Sequence, residues 1–314
     1  MADPEQLEGM ILTVGAVLGA GLLVCLLLEL TVVHFVKRSM AFRQTRAALL
    51  GLLSQGIAGA VIMRLFGPLS VGVAATLGAG LTPFAGGLGW PWWIYGFVVY
   101  EFWYWVMHWA AHKVRLLWCI HSPHHAPRGI HMAIGANHHF LESILYFPLF
   151  FGLAPALCGV HPVIAIAVNV IDSMWGSFLH ISTDVVAEGR YGFLERFMQT
   201  PSYHRVHHAK NPRYVDTNYN SITLLWDWLF RTLEPLRDDE PVDYGITREV
   251  DTGSFWDVHF GEFRALYRDV RSADGMGEAL GYLFRPPGWL PGDGSHTASA
   301  MKAALRASTS TSCD

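Results

Sequence analysis

Residues 10–36 form an apolar run interrupted only by Glu29 and His34. It is long enough to cross the roughly 30 Å hydrocarbon core of a bilayer, which needs about 20 residues. Inside lipid the backbone must satisfy its own hydrogen bonds, so such a run folds as a helix. Lys37, Arg38, Arg43 and Arg46 follow it, and that excess of positive charge assigns the loop to the cytoplasmic side. The preceding MADPEQLEG is acidic, whereas a secretory signal opens on a basic region. The run is therefore expected to be a retained anchor. Composition agrees with a membrane protein. Hydrophobic residues make up 52% and charged residues 15%, against about 25% charged in ordinary soluble domains, and the mean hydropathy is +0.27. A net charge of −4 does not suit a nucleic-acid partner. Cys25, Cys119, Cys158 and Cys313 form no CxxC pair, so neither a disulfide framework nor a thiolate zinc site is indicated.

Residues 47–63 read as a second span, with a helix break expected at Gly67-Pro68. Residues 69–89 are apolar but rich in Gly, Ala and Thr, and read as a re-entrant or weakly spanning piece. Residues 90–107 read as a further span crowded with Trp and Tyr, which favour membrane interfaces. It delivers His108 to the cytoplasmic face if 69–89 does not cross, and outward if it does. Lys113, Arg115 and Arg128 immediately after favour the first case. Pro148, Pro155 and a turn at Gly159-Val160-His161-Pro162 divide residues 140–179 into two helices, a hairpin that returns His180 to the side of His108. From Ser182 onward the chain is mostly polar, and beyond Gly292 it is expected to be disordered. The expected fold is all-α: a multi-pass membrane bundle of about four spans plus re-entrant pieces, with a cytoplasmic helical cap carrying a histidine-rich two-metal site. Its expected parts are an anchor (1–89), a catalytic domain (90–235) and a soluble C-terminal region (236–314).

Half of the sixteen histidines fall within residues 108–139. His108 and His112 are four apart and share one face of a helix at the end of a span. In HSPHH, Ser122 is a good N-cap and Pro123 a good first helical residue, so a helix is expected to start there, bearing His124 and His125 with His121 just before it. In HRVHH, Thr200 and Pro201 repeat that device and place His204, His207 and His208 on one face, before Asn211-Pro212 ends the helix. With the lone His180 these boxes supply nine imidazoles. One ion takes about four to six ligands, so nine imply two metals. Imidazole suits Zn, Cu, Fe and Ni, so residue type leaves the metal open. A single histidine near a membrane is ordinarily just hydrogen-bonded, and His34, His161, His259 and His296 are read that way.

HWAAH, HSPHH and HRVHH, in that order after apolar spans, resemble the fatty acid hydroxylase / sterol desaturase superfamily of membrane di-iron enzymes. So do Asp216-Thr217-Asn218-Tyr219, Trp226-Asp227 and Pro286-Pro287-Gly288-Trp289. The resemblance covers about residues 95–290 and is greatest to the alkylglycerol monooxygenase and bacterial sterol-desaturase-like branch. It implies that His108, His112, His121, His124, His125, His180, His204, His207 and His208 hold two iron ions. It further implies dioxygen-dependent hydroxylation, or desaturation, of a lipid C–H bond. The lipid would enter from the bilayer, and electrons would come from a cytochrome or ferredoxin partner or a reduced pterin. In a bacterium the location would be the inner membrane. Several positions depart from the pattern. Trp109 replaces Arg in the first box, Glu101 replaces Asp seven residues before it, Gly176 stands where some members have a further histidine, and Phe230-Arg231-Thr232 replaces FGT. His131, His138 and His139 stand where Asn and polar residues are expected. His131 is the first candidate for a tenth ligand and His138 or His139 the second. The alternative is that these three orient ligating imidazoles from behind.

Two other functions are compatible with the histidines. A transporter would carry metal on them, but transport sites usually lie at the midplane of spans, and these boxes lie at span ends. A member of the superfamily that keeps only a structural metal is the other.

Overall fold

The computed structural model describes residues 3–81, 87–187, 191–292 and 296–311. Helix α1 (Pro4–Thr31) carries the first apolar run and continues into a π-helical turn, Val32–Val36. α2 (Phe42–Leu81) and α3 (Trp90–Lys113) follow. Next come α4 (Arg115–His125), the single turn α5 (Met132–Gly135) and α6 (Phe140–Tyr146). A π-helical stretch, Phe147–Leu153, joins α6 to α7 (Ala154–Leu157), and α8 (Pro162–Leu179) returns. The remainder is α9 (Pro201–His207), α10 (Leu225–Phe230), α11 (Phe255–Arg271), α12 (Met276–Phe284) and α13 (Ala298–Thr311). No strand occurs among the described residues.

Among the described residues, four stretches are long and apolar enough to cross a membrane: Pro4–Val36, Phe42–Ile62, Phe140–Leu157 and Pro162–Leu179. α3 is not among them, although a span was expected there. Its apolar surface is largely Trp and Tyr, which score low on hydropathy scales. The break expected at Gly67-Pro68 is absent, because α2 runs through it. Pro68 removes a single backbone hydrogen bond, a loss that apolar helices accommodate. The first part of 69–89 therefore extends α2, and residues 82–86 lie outside the described residues. Within the segment expected to be disordered beyond Gly292, residues 298–311 instead form α13. Its Ala, Met, Leu, Lys and Arg are strong helix formers, and the Thr297 hydroxyl accepts from Ala300 N at 3.3 Å to start it.

Three helices arrive side by side at one end of the bundle, and two leave it. Gly15 and Glu29 of α1 meet Val170 of α8 and Ser182 just beyond it, and Gly96 and Tyr100 of α3 meet Ile164 and Asp172 of α8, so α1, α3 and α8 run in the same direction. α2 and the α6–α7 segment run the other way, with Ser143 Oγ 3.5 Å from Gln55 O. The arriving ends carry His34, His108 and His180. α11 lies across α4, with Phe263 and Leu266 against Ile120 and Cys119.

Glu29 stabilises this convergence. It is buried at the foot of α1, and its carboxylate accepts from Met132 N at 2.7 Å and from Ser182 N at 2.6 Å. It thereby holds the loop after the second histidine box against the residue two beyond His180. Glu29→Ala strands two buried backbone donors, and a loss of about 2–3 kcal/mol is expected. Thermal unfolding in detergent measures this. Glu29→Gln keeps one carbonyl acceptor and should recover part of the loss. An unchanged midpoint for Glu29→Ala would show that the clamp is not formed.

Candidate metal centre

The nine box histidines divide into two buried groups. Ligand nitrogens of His108, His112, His121, His125 and His207 lie within 4.8 Å of one another, and those of His124, His180, His204 and His208 form a second such set. Helix geometry explains the partition. Residues four apart share a face, while consecutive residues are turned by about 100°. His121 and His125 thus serve one group while His124 serves the other. His204 and His208 pair in the second group while His207 crosses to the first. Each HH doublet straddles the two groups.

The helix bearing HSPHH does not start at Ser122. α4 begins at Arg115, after Val114 adopts an extended conformation, and Pro123 lies in its last turn. α9 does begin after Thr200, but it ends at His207, before Asn211. The Thr200 hydroxyl bonds Ser202 and Glu195 instead of capping. The histidine faces survive both changes, because the spacing within each box is unaltered.

Hydrogen bonds fix the tautomers. A carbonyl oxygen can only accept, so an imidazole nitrogen facing one carries the proton. His108 Nδ1 donates to Tyr219 O at 2.7 Å and His207 Nδ1 to Thr217 O at 2.8 Å. His124 Nδ1 donates to Ile134 O at 3.2 Å and His180 Nδ1 to Gly176 O at 2.6 Å. His112 and His121 turn Nδ1 to the carboxylates of Asp216 and Glu142, each at 3.3 Å. In all six the Nε2 lone pair is left to face inward. His180 Nε2 lies 2.8, 3.1 and 3.2 Å from Nε2 of His204, His208 and His124. Nε2 of His108, His112 and His207 is buried with no hydrogen-bond partner. Unpaired lone pairs converging in a buried space fit metal ions, because neutral imidazoles otherwise leave them unsatisfied. Burial holds His108, His112, His124, His125, His204 and His208 well below the ordinary histidine range, aided by neighbouring imidazoles. Burial likewise lowers His180 and His207 to about 3. All of these are neutral, and so able to ligate, at pH 7.

One short loop orients much of the first group. Asp216, Thr217 and Tyr219 accept from His112, His207 and His108 respectively. Asp227 holds that loop, accepting from Tyr219 N at 2.9 Å and Asn220 N at 2.7 Å. Glu101 accepts from Asn220 Nδ2 and Thr223 N. Gly135 must be glycine, since a Cβ there would stand 2.7 Å from His180 Nδ1. Gly176 offers its carbonyl to His180 rather than a side-chain ligand. Trp109 stacks on Trp105 at 6.0 Å between ring centroids, away from the imidazoles.

The tenth-ligand readings fare differently. His131 lies outside both groups: its Nε2 is 3.2 Å from Thr45 Oγ1, which lies 2.9 Å from His34 Nε2. Burial lowers His131 to about 4. His139 is also outside, accepting from Leu141 N at 3.1 Å and packed among Phe140, Phe260 and Phe263. His138 joins His121 and Glu142 in a third set of ligand atoms within 4.8 Å of one another, behind the first two groups. Its ring stacks on His124 at 4.3 Å, its Nδ1 faces Glu142 at 2.8 Å and its Nε2 donates to Gly135 O at 2.9 Å. Burial opposes its charging, but Glu142 more than offsets this and raises its pKa. With Glu142 it supports His121 and His124 from behind. His131→Ala is therefore expected to retain both metals at full occupancy by elemental analysis, and loss of one would restore His131 as a ligand. Among the four histidines read as ordinary, His34, His161 and His259 have hydrogen-bond partners in Thr45, Val163 N and Asn137. Sequence reasoning missed Glu142 and Glu29. A lone carboxylate in an apolar run is the signal that marks either as functional.

Residues 93–232 match the model of the fatty acid hydroxylase family. This part of the chain, a little under half of its length, is similar to that family. It is 31% identical over 207 residues to alkylglycerol monooxygenase of Danio rerio, a match covering 65% of this chain and 43% of the relative. The corresponding protein of Xenopus tropicalis is 30% identical over the same shares. Ornithine lipid hydroxylase OlsE of Rhizobium tropici is 28% identical over 161 residues, 51% of this chain and 47% of the relative. The matched region thus spans less than half the length of these relatives. No solved structure matches the chain.

Proposed function

We propose that this chain is an integral-membrane non-haem di-iron oxygenase that hydroxylates a lipid C–H bond. The observation that carries this reading is the five-plus-four convergence of inward-facing imidazole nitrogens at the shared end of α1, α3 and α8. It is supported by relatives named as lipid hydroxylases and monooxygenases. The balance is RH + O₂ + 2 electrons + 2 protons giving ROH + H₂O, with electrons from an outside donor. The nine histidines would hold the iron, which would supply the redox chemistry for dioxygen. The protein's own groups orient and exclude. Carbonyls 217, 219, 134 and 176 and the carboxylates of Asp216 and Glu142 keep protons on Nδ1, so that every aimed Nε2 stays a ligand. Tyr104 and Tyr219 close over the first group, with centroids 5.6 and 5.7 Å from His108, and keep water out. The Tyr219 hydroxyl, buried without a partner, is a donor available to a substrate oxygen. An apolar cavity of ≈ 670 Å³ between α1 and α8, lined by Val14, Leu18, Val170, Met174 and Phe178, would take the hydrocarbon. Phe178 sits two residues before His180. Lys37, Arg38, Arg43, Lys113, Arg115 and Arg128 at the histidine end favour its cytoplasmic placement.

Purified protein loaded with ferrous iron, given a reductant and bilayers of ether, ornithine or acyl lipid, should take up dioxygen. One lipid should gain the mass of one oxygen atom. Iron-loaded protein that consumes no dioxygen with any of the three would sink the enzyme reading and favour a structural or transported metal.

A further inference from the structure

Beyond His180 the chain turns large apolar side chains outward at two neighbouring places. The 3₁₀ turn Gly192–Arg196 and the residue after it expose Phe193, Leu194 and Phe197, and α10 exposes Leu225, Trp228 and Leu229. Phe193 is 69% and Trp228 70% exposed, so neither ring finds cover within the chain. Phe197 O accepts from Leu224 N at 3.0 Å and Ile222 O from Gln199 N at 2.9 Å. Residues 197–199 thus pair with 222–224, and the turn enters and α10 leaves at the same end of that pair. An apolar patch built this way marks a surface that meets something other than water.

The depth of the patch decides what it meets. Gln199 O accepts from Trp175 Nε1 at 3.0 Å, and the Ser221 hydroxyl bonds the Asp172 carboxylate. Trp175 lies four residues and Asp172 seven before Leu179, where the spanning helix α8 ends. At roughly 1.5 Å of rise per residue, the pair docks about 6–10 Å inside that end. Glu101 of α3 accepts from Thr223 N at 2.8 Å, and Phe230 of α10 stacks on Trp105 of α3 at 4.3 Å between centroids. Glu101 and Trp105 both precede His108, so α10 lies beside the shaft of α3 and not over its end.

The apolar cavity between α1 and α8 supplies a second observation. Met198 and Ile222, both from the pair, complete its wall. The patch therefore continues the outward surface of two spanning helices, on which Val14, Leu18 and Ile171 are exposed. Arg196 and Arg231 follow the two apolar segments and are exposed, and long cationic side chains so placed can reach lipid phosphates while their stems stay among the acyl chains. A protein arriving from water would have to displace the lipid beside α3 and α8 to cover this face.

We propose that the turn Gly192–Arg196 and α10 are immersed in the acyl chains of the leaflet at the histidine end, as the membrane-facing border of the α1–α8 cavity. This requires that α8 cross a bilayer and takes nothing from the redox reading of the histidines.

The test uses the whole protein in phosphatidylcholine nanodiscs. Phe193→Cys and Trp228→Cys, each made together with Cys25→Ser and Cys313→Ser, carry a nitroxide, and the same background without an added cysteine is the control. Dioxygen concentrates in hydrocarbon, and it should relax both labels more than a water-soluble nickel chelate does, by about threefold for a site about 5–10 Å below the headgroups. Nickel that relaxes either label as much as dioxygen does, or more, places that residue in water and overturns the proposal. Shielding from both reagents, as under a protein partner or a second copy, overturns it as well. Trp228→Phe gives a reading without labels. The emission lost with Trp228 should be quenched in dibrominated phosphatidylcholine, and emission as bright there as in the unbrominated lipid also overturns it.

Discussion

On the proposed two-metal reading, His180→Ala is expected to bind one metal where the parent binds two. His180 sits at the middle of the four-histidine group, its Nε2 within 3.2 Å of the other three. If an apparent binding energy of about 10–16 kcal/mol is shared by four ligands, each contributes roughly 3–4 kcal/mol, or about 10²–10³ in affinity. The five-histidine group keeps all of its ligands and, with them, its metal. Elemental analysis after iron loading and dialysis should give about one equivalent for His180→Ala, and on the proposed di-iron function dioxygen uptake should fall below detection. His125→Ala makes the contrast. It leaves four imidazoles in the larger group, so its metal should persist at reduced affinity. Retention of both metals by His180→Ala, at parent affinity, would refute the partition. Equal loss of both would show that the groups are not independent.

The partition also shows what could be read from the residues. The boxes, their order and the shared faces of their histidines follow from spacing, because i, i+3 and i+4 positions share a helix face wherever the helix starts, and the expectation of two metals came from the number of imidazoles. That is why an expected start at Ser122 and an actual start at Arg115 lead to the same ligands. Which imidazole serves which group needs the three-dimensional meeting of α3, α4, α8 and α9. His131 and His139 looked like ligands because they follow the boxes closely. Yet His131 turns toward Thr45 of α2 and His139 toward α11, elements whose approach no local spacing encodes. Glu142 and Glu29 were hidden for the same reason. Their partners are histidines or backbone N–H groups up to 153 positions away. Pro68 was overread, since one proline removes a single hydrogen bond from a helix that otherwise keeps its ladder.

Asp227→Ala is expected to be the most destabilising single change outside the histidines. Asp227 is fully buried. Besides Tyr219 N and Asn220 N, its carboxylate accepts from Trp105 Nε1 at 3.1 Å and Thr232 Oγ1 at 2.6 Å. Burial raises its pKa and these donors oppose the rise. Removing one acceptor strands four donors, and a buried unpaired donor costs about 1–3 kcal/mol. Partial relaxation leaves an expected loss of about 4 kcal/mol. The consequence reaches the metal centre through one carbonyl. Tyr219 N is held by Asp227, and Tyr219 O receives the His108 Nδ1 proton, so a loosened residue 219 frees His108 to rotate or change tautomer. Loss of such an outer partner typically weakens metal affinity 10–100-fold. Asp227→Asn separates the two effects. Its carbonyl can still accept from one backbone N–H, so it should recover part of the stability while remaining impaired in first-group metal affinity. Denaturant unfolding measures the first quantity and competitive chelation the second. Parent-like metal affinity in Asp227→Ala protein that still folds would show that the 219 carbonyl is positioned without Asp227.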